Sequence, residues 1–358
     1  DRGAIVAMIG GRDFNASKVN LALGAQGGGQ GRQPGSTFKP FVLAAALESG
    51  LPLTKTYPGP SHIVVDVNKQ KFDVSNFNNE SFGNIDLTDA TVHSVNTVYA
   101  QLIRDVGPQA VADTATKLGV TAPLDPYPAL ALGSEEVSPL DMVRSYMTFA
   151  NRGERVTPFS VEKVSDAKGN VIYTADASKE RAYPEQYADV VNHVLGDVIA
   201  KGTGRAAGIR HQAAGKTGTT TKNTDAWFVG YTPKIGAAVW MGYKDGTDHK
   251  MTSVHGRAVT GGSFPAQIWQ KFMAAAVAGM DTGTFTEPPD ELLHPTTTSM
   301  STSSTSATPT RSTSSTTSST IPEDSTTTSS TSSTSTSTST TTTTEPKKNT
   351  TTTTTSPP

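Results

Sequence analysis

Near Pro288 the sequence changes character so abruptly that the foldable part can be marked off before any element is assigned. From about His294 to Pro358 it is almost entirely Thr and Ser with scattered Pro. Such a stretch cannot bury enough apolar surface to offset its ordering entropy. The reading is therefore a folded domain over residues 1–287 and a disordered Ser/Thr/Pro-rich tail over residues 288–358. The first region is long enough for one large domain or two lobes. A solvated linker or terminus is the plain reading of the tail, and a wall-spanning or O-glycosylated segment has the same composition.

Several function classes drop out early. The formal net charge is −2, so the chain carries no electrostatic footprint for nucleic acid. There are no cysteines, which removes disulfide frameworks, thiol catalysis and thiolate metal sites together. The seven histidines show no H-E-x-x-H or other compact ligand spacing, and no cofactor is expected. No run is long enough to span a bilayer, and no signal peptide is expected within this stretch. The chain opens at Asp1, inside an apolar run and not at Met, and is expected to be part of something longer.

"GAIVAMIGG" (Gly3 to Gly11) is a short apolar run closed by glycines and reads as a buried strand. "GAQGGGQGRQPG" reads as a flexible loop, and "STFKPFVLAAALESG" as a helix capped by Ser36 and ended by Gly50. From Leu87 to Leu118 the pattern is helical, broken at "HSVNT". "SPLDMVRSYMTFANRG" and "EQYADVVNHVLGDVIAKG" are further helices, and "VEKVSDAKGNVIYTA" is a hairpin. Then "AAGKTGTT", "DAWFVGYTP" and "GAAVWMGYK" have strand rhythm, before a last helix at "PAQIWQKFMAAAVAGM". Strands at both ends with helices between predict an α+β domain. Its antiparallel sheet would be built from N- and C-terminal strands, flanked by helices, with an inserted all-helical lobe.

Some motifs fail on inspection. "RHQAAGKT" lacks the first glycine that a phosphate loop needs, because Arg210 stands there. "GTGRAAG" follows a helical run and not a strand, so it is no dinucleotide turn. No G-x-S-x-G elbow exists. Asn15-Ala-Ser and Asn79-Glu-Ser match a glycosylation pattern by chance.

The S-x-x-K spacing of Ser36 and Lys39 recurs as "SDAK" (Ser165 to Lys168), which serves as a control. In that hairpin nothing aligns the two side chains, whereas at Ser36 the spacing opens a helix and puts both on one face. An N-cap with a solvated lysine remains the alternative. "SVN" (Ser94 to Asn96) puts a hydroxyl and an amide at a helix–helix turn, also a common turn sequence. "KTGTT" (Lys216 to Thr220) lies on a strand where glycine suits the close approach of another backbone, such as an extended peptide on the edge. The three occur in the order S-x-x-K, S-x-N, K-T-G.

With these segments the sequence resembles the transpeptidase domain of bifunctional, class A penicillin-binding proteins, within the superfamily shared with serine β-lactamases. "GRQPGSTFKPF", "ALGSEEVSPLDMVRSYMTFANRG", "GTGRAAG", "AGKTGTT", "DAWFVGYTP" and "TGGSFPAQIWQKFM" carry the likeness over about residues 1–280. The resemblance implies the β-lactamase/transpeptidase-like fold. It implies a D,D-transpeptidase that cross-links peptidoglycan stem peptides through an acyl-serine and is acylated by β-lactams. Ser36 would be the nucleophile, Lys39 its base, and Ser94 a proton relay supported by Lys216. Asn96 would hold the stem-peptide amide, Thr217 and Thr219 the terminal carboxylate, and the N–H groups of Ser36 and Thr219 the oxyanion, with Gly218 completing the K-T-G strand.

Implied partners are donor stems ending in D-Ala-D-Ala, an amine acceptor, β-lactam antibiotics and cell-wall accessory proteins. The implied place is the outer face of the bacterial plasma membrane, through an upstream anchor and glycosyltransferase domain that this chain does not carry. Val95 replaces the Asp common in class A β-lactamases, and no E-x-x-L-N stretch supplies a deacylating glutamate. Gly27 to Gly31 is also longer and looser than the family pattern. A D,D-carboxypeptidase and a non-catalytic β-lactam sensor are the remaining alternatives.

Overall fold

The computed structural model describes residues 3–246 and 248–294. The chain divides into two units, Asp1–Thr298 and Ser299–Pro358. The second, and the expected tail from residue 295 onward, lie outside the described residues. Near the end of the described residues, Leu292 and Leu293 rest against the core.

Helix α1 (Lys39–Glu48) is followed by strand β1 (Tyr57–Pro58) and the hairpin β2 (His62–Val67) and β3 (Gln70–Ser75); β4 (Asn84–Ile85) pairs back to β1. Helices α2 (Leu87–Val92), α3 (Asn96–Val106), α4 (Pro108–Leu118) and α5 (Pro139–Ala150) come next. β5 (Glu154–Val156) pairs with β8 (Lys179–Arg181) around the hairpin of β6 (Lys163–Ser165) and β7 (Val171–Thr174). Helix α6 (Glu185–Ala200) leads into β9 (Ala214–Thr219), β10 (Asp225–Tyr231) and β11 (Gly236–Gly242), before α7 (Phe264–Ala276) and the short α8 (Asp290–Leu293).

Local chemistry explains most boundaries. Ser138 and Asp141 form a reciprocal capping box at the start of α5, with Pro139 in the first turn where its missing N–H costs nothing. Pro108 does the same for α4, which Gly119 ends. The break at "HSVNT" is Ser94, held at φ +59° between α2 and α3.

Helix α1 is buried from Lys39 through Leu47, which makes it the central strut of the domain. The antiparallel sheet runs β11-β10-β9. Side chains alternate faces along a strand. Tyr231 of β10 meets Tyr146 of α5, ring centres 6.1 Å apart, while Phe228 meets Trp269 of α7 at 5.2 Å. One face therefore looks toward α1, α5 and α6 and the other toward α7. Among the described residues no helix is long and apolar enough to cross a membrane.

The mixed α and β class is as expected, with three corrections. The three-stranded sheet contains only the C-terminal strands. Gly3–Gly11 joins no strand of it, making an isolated bridge from Ala4 to Phe159, and Val6 and Ile9 are 72% and 85% exposed. An apolar run signals a tendency to be buried but does not name the strand that must pair with it. The inserted lobe is not all helical, because β2 and β3 sit within it. Their turn residues Asn68 and Lys69 both have positive φ, the conformation of a tight hairpin turn. The Gly-rich loop is partly ordered as a 3-10 helix over Leu21–Gly27, started by the Asn20 side chain accepting from the Ala22 N–H.

Candidate active site

Ser36 lies in the 3-10 turn Gly35–Phe38 that runs directly into α1. It is therefore not the side-chain cap that its position suggested. The turn closes through the N–H of Lys39 donating to the Ser36 carbonyl, which draws the helix start upstream to Pro34. The Ser36 hydroxyl makes no hydrogen bond among the described residues, and the residue is half-buried.

Two glycines let this turn sit where it does. Gly35 has φ +56°, and a Cβ there would lie 3.1 Å from the Thr219 carbonyl carbon and oxygen. Its N–H donates to the Gly133 carbonyl at 3.3 Å. At Gly218 of β9 a Cβ would lie 2.3 Å from the Pro34 oxygen. The glycine of "KTG" was expected to admit a foreign backbone, but the backbone it admits is the turn bearing Ser36. Tyr146 adds a bond from its hydroxyl to the Thr37 carbonyl at 2.5 Å.

Lys39 is fully buried. Its Nζ donates to the Ser94 carbonyl at 2.6 Å and to Asn96 Oδ1 at 2.8 Å, and lies 3.3 Å from Ser94 Oγ. Lys216, equally buried on β9, donates to Ser94 Oγ at 2.8 Å and to the Thr217 carbonyl at 3.2 Å. The Ser94 hydroxyl thus sits between two amines. Its left-handed backbone is uncommon for a non-glycine residue and turns its carbonyl onto Lys39.

Burial, and then the charge of Lys216, push Lys39 well below the usual lysine range. Burial brings Lys216 down to about 7. Two amines around one hydroxyl, both out of water, do not both hold protons at neutral pH. Burial thus favours the neutral form of Lys39, one helical turn from the Ser36 hydroxyl. Such an arrangement can serve a nucleophile and a general base.

Asn96 opens α3, and its Nδ2 donates to the Ser75 carbonyl at 3.0 Å. Thr217 and Thr219 lie on the α7 face of β9, opposite Lys216 and Gly218. The Thr217 hydroxyl shares a 2.7 Å bond with that of Thr203, and Thr219 Oγ1 accepts from the Gly261 N–H at 3.0 Å. Lys216 therefore faces away from these hydroxyls, and no described strand pairs with the outer edge of β9. The N–H of Thr220 donates to the Asp225 carbonyl, so by alternation the Thr219 N–H points to that outer edge.

All eight expected residues therefore converge, around one turn and one strand edge. Sequence reasoning missed Thr203, the polar partner of Thr217, and Tyr99, whose ring centre lies 5.1 Å from the Lys39 amine. It also missed Arg32, which pairs with buried Asp225 at 3.3 Å and anchors the loop before Ser36 through a backbone bridge to Val137. Among the described residues no group of three or more His, Cys, Asp or Glu is placed to hold a metal ion.

Comparison with known proteins gives the family. The family described as the penicillin-binding protein transpeptidase domain matches residues 1–274, and the chain belongs to it. It is 34% identical over 293 residues to penicillin-binding protein 1A of Aquifex aeolicus, covering 81% of this chain and 39% of that protein. Penicillin-binding protein 1A of Mycobacterium tuberculosis is 33% identical over 310 residues, covering 80% of this chain and 36% of its own length. The chain thus spans under half of these relatives. Among solved structures, PonA1 of M. tuberculosis in complex with penicillin V aligns with TM-score 0.70 and 30% identity, over 78% of this chain and 76% of that one. Penicillin-binding protein 1A of Haemophilus influenzae aligns with TM-score 0.68 and 25% identity, over 78% and 47%.

Proposed function

We propose that this domain is a serine D,D-transpeptidase that joins peptidoglycan stem peptides and is acylated by β-lactams. The observation that carries the reading is the Ser94 hydroxyl held 2.8 Å from Lys216 and 3.3 Å from Lys39, beside the turn that bears Ser36.

Neutral Lys39 takes the Ser36 proton as Oγ attacks the carbonyl of the penultimate D-Ala. The oxyanion is received by the N–H groups of Ser36 and Thr219; one such donor is worth about 2.7–4 kcal/mol of barrier. The C–N bond to the terminal D-Ala breaks, and Ser94, polarised by Lys216, passes its proton to the leaving amine and takes in exchange the one that Lys39 accepted from Ser36. The ester on Ser36 is then attacked by an acceptor amine, which forms the new amide and returns the serine its proton. Thr219 can still donate its hydroxyl hydrogen to the terminal carboxylate, since its oxygen accepts from Gly261. Thr217, with Thr203, and Lys216 supply the rest of that dock, and Asn96 holds the stem amide. A β-lactam enters as a mimic of the dipeptide.

In this reading the reaction lies at the outer face of the bacterial plasma membrane. Anchoring and glycan polymerisation belong to other segments of a longer protein, and cell-wall accessory proteins are its partners. The test is incubation with a D-Ala-D-Ala donor and an amine acceptor, with Ser36→Ala alongside. Wild-type protein should release D-Ala and form the amide, and the variant should do neither. Release of D-Ala without amide at any acceptor concentration would replace transpeptidation with carboxypeptidation.

A further inference from the structure

Helix α3 starts with an unsupported end. Val95, in its N-cap position, has no side chain that accepts a hydrogen bond. The cap comes instead from Asn76, just past the end of β3, whose Oδ1 accepts the Thr97 N–H at 3.0 Å. Asn76 is 5% exposed. Its Nδ2 donates to the carbonyls of Pro60 and Glu80, both at 2.9 Å, and its own N–H donates to the Ser61 carbonyl at 2.9 Å. Three side-chain bonds fix which way its amide faces.

The residue before it matters equally. The Ser75 carbonyl accepts from Asn96 Nδ2, so Ser75 and Asn76 together grip the side chain of Asn96 and the N–H of Thr97. With its nitrogen tied to Ser75, Asn96 turns Oδ1 onto Lys39 Nζ. A neutral lysine amine has two N–H groups and one lone pair. Asn96 Oδ1 and the Ser94 carbonyl take the two N–H groups, which leaves the lone pair for the serine proton.

We infer that Asn76 is a positioning residue for acyl transfer, holding the first turn of α3 so that the oxygen of Asn96 faces Lys39. The inference rests on the transpeptidase reading above and deepens it. Asn76→Ala removes the distant cap, and Asn76→Asp keeps the oxygen that accepts from Thr97 while losing both N–H donors. The measurement is the rate of penicillin acylation against concentration, which separates the acylation rate constant from the dissociation constant, with thermal melts of each variant.

Asn76→Ala should lower the acylation rate constant by at least about tenfold, with the dissociation constant within about twofold. Asn76→Asp should acylate within about threefold of wild type even though it melts as low as the alanine variant. Acylation that falls in step with melting temperature in both variants would overturn the inference, as would wild-type acylation in Asn76→Ala. A wild-type protein that is not acylated, or a Ser36→Ala protein that is, overturns the transpeptidase reading and this inference with it.

Discussion

Replacing Gly218 with alanine puts a methyl group where the chain has no room for one. Its Cβ would lie 2.3 Å from the Pro34 oxygen, 3.0 Å from Thr37 Cγ2 and 3.1 Å from the Thr37 nitrogen. The first distance is about 1 Å inside van der Waals contact, and the obstacle is backbone, which cannot swing away. Either β9 or the turn bearing Ser36 must move. Overpacking of this kind costs about 1–3 kcal/mol, a melting-temperature fall of roughly 2–10 °C. Thermal melts of the variant separate a kinetic loss from unfolding at assay temperature. A shift of about 1 Å between nucleophile and oxyanion donor lowers acylation by roughly 10²-fold. The assay is acylation by a fluorescent penicillin, with thermal melts. Gly196→Ala is the control, since a Cβ there meets only the Ala213 oxygen at 3.9 Å. Inside α6 it should gain about 0.5–1 kcal/mol and leave acylation unchanged. A Gly218→Ala protein with wild-type acylation and melting would refute the close approach of β9 to the turn.

Burial of Lys216, with its amine brought down to about 7, makes stability depend on pH. Between pH 7 and 9 the unfolded lysine stays protonated while the folded one loses its proton, so stability rises with pH, by up to about 1.4 kcal/mol per unit. Urea unfolding across that window should show the slope, and Lys216→Met should reduce it by the share of Lys216 while that of buried Lys39 persists; an unchanged slope in the variant would refute the assignment. Thr203→Val removes the hydroxyl that shares the 2.7 Å bond with Thr217. It should raise KM for the donor by a few-fold, near 1 kcal/mol of lost binding, with kcat little changed. A kcat loss at constant KM would place Thr203 elsewhere in the reaction.

Much of the site could be read from the chain because its groups travel with local structure. The helices around Ser94 and the strands from Ala214 to Gly242 are written in periodicity and turn residues. What escaped depends on contacts between distant segments. Thr203 sits fourteen positions before Thr217 in a loop that looks like any glycine-rich turn. Asn76 caps a helix twenty-one positions on, where only the missing cap at Val95 hinted that a substitute was needed. Gly218 marks a place of close approach, yet the partner, Pro34, is far away in sequence. Ser36 satisfied every rule for a helix cap, but the chain enters α1 through a 3-10 turn. The hairpin of β2 and β3 has its signature in the hydrophobic stretch "HIVVDV" and the Asn68-Lys69 turn. Gly3–Gly11 failed the other way, as an apolar run without a neighbour to pair with.

The central claim is that Ser36 is the acylated nucleophile, and intact mass measured over time after adding penicillin tests it most directly. The account predicts that the protein gains the mass of one penicillin, that the adduct persists and maps to the peptide containing Ser36, and that Ser36→Ala gains nothing. Stable labelling of Ser36→Ala, or an adduct that maps to another residue, would contradict it.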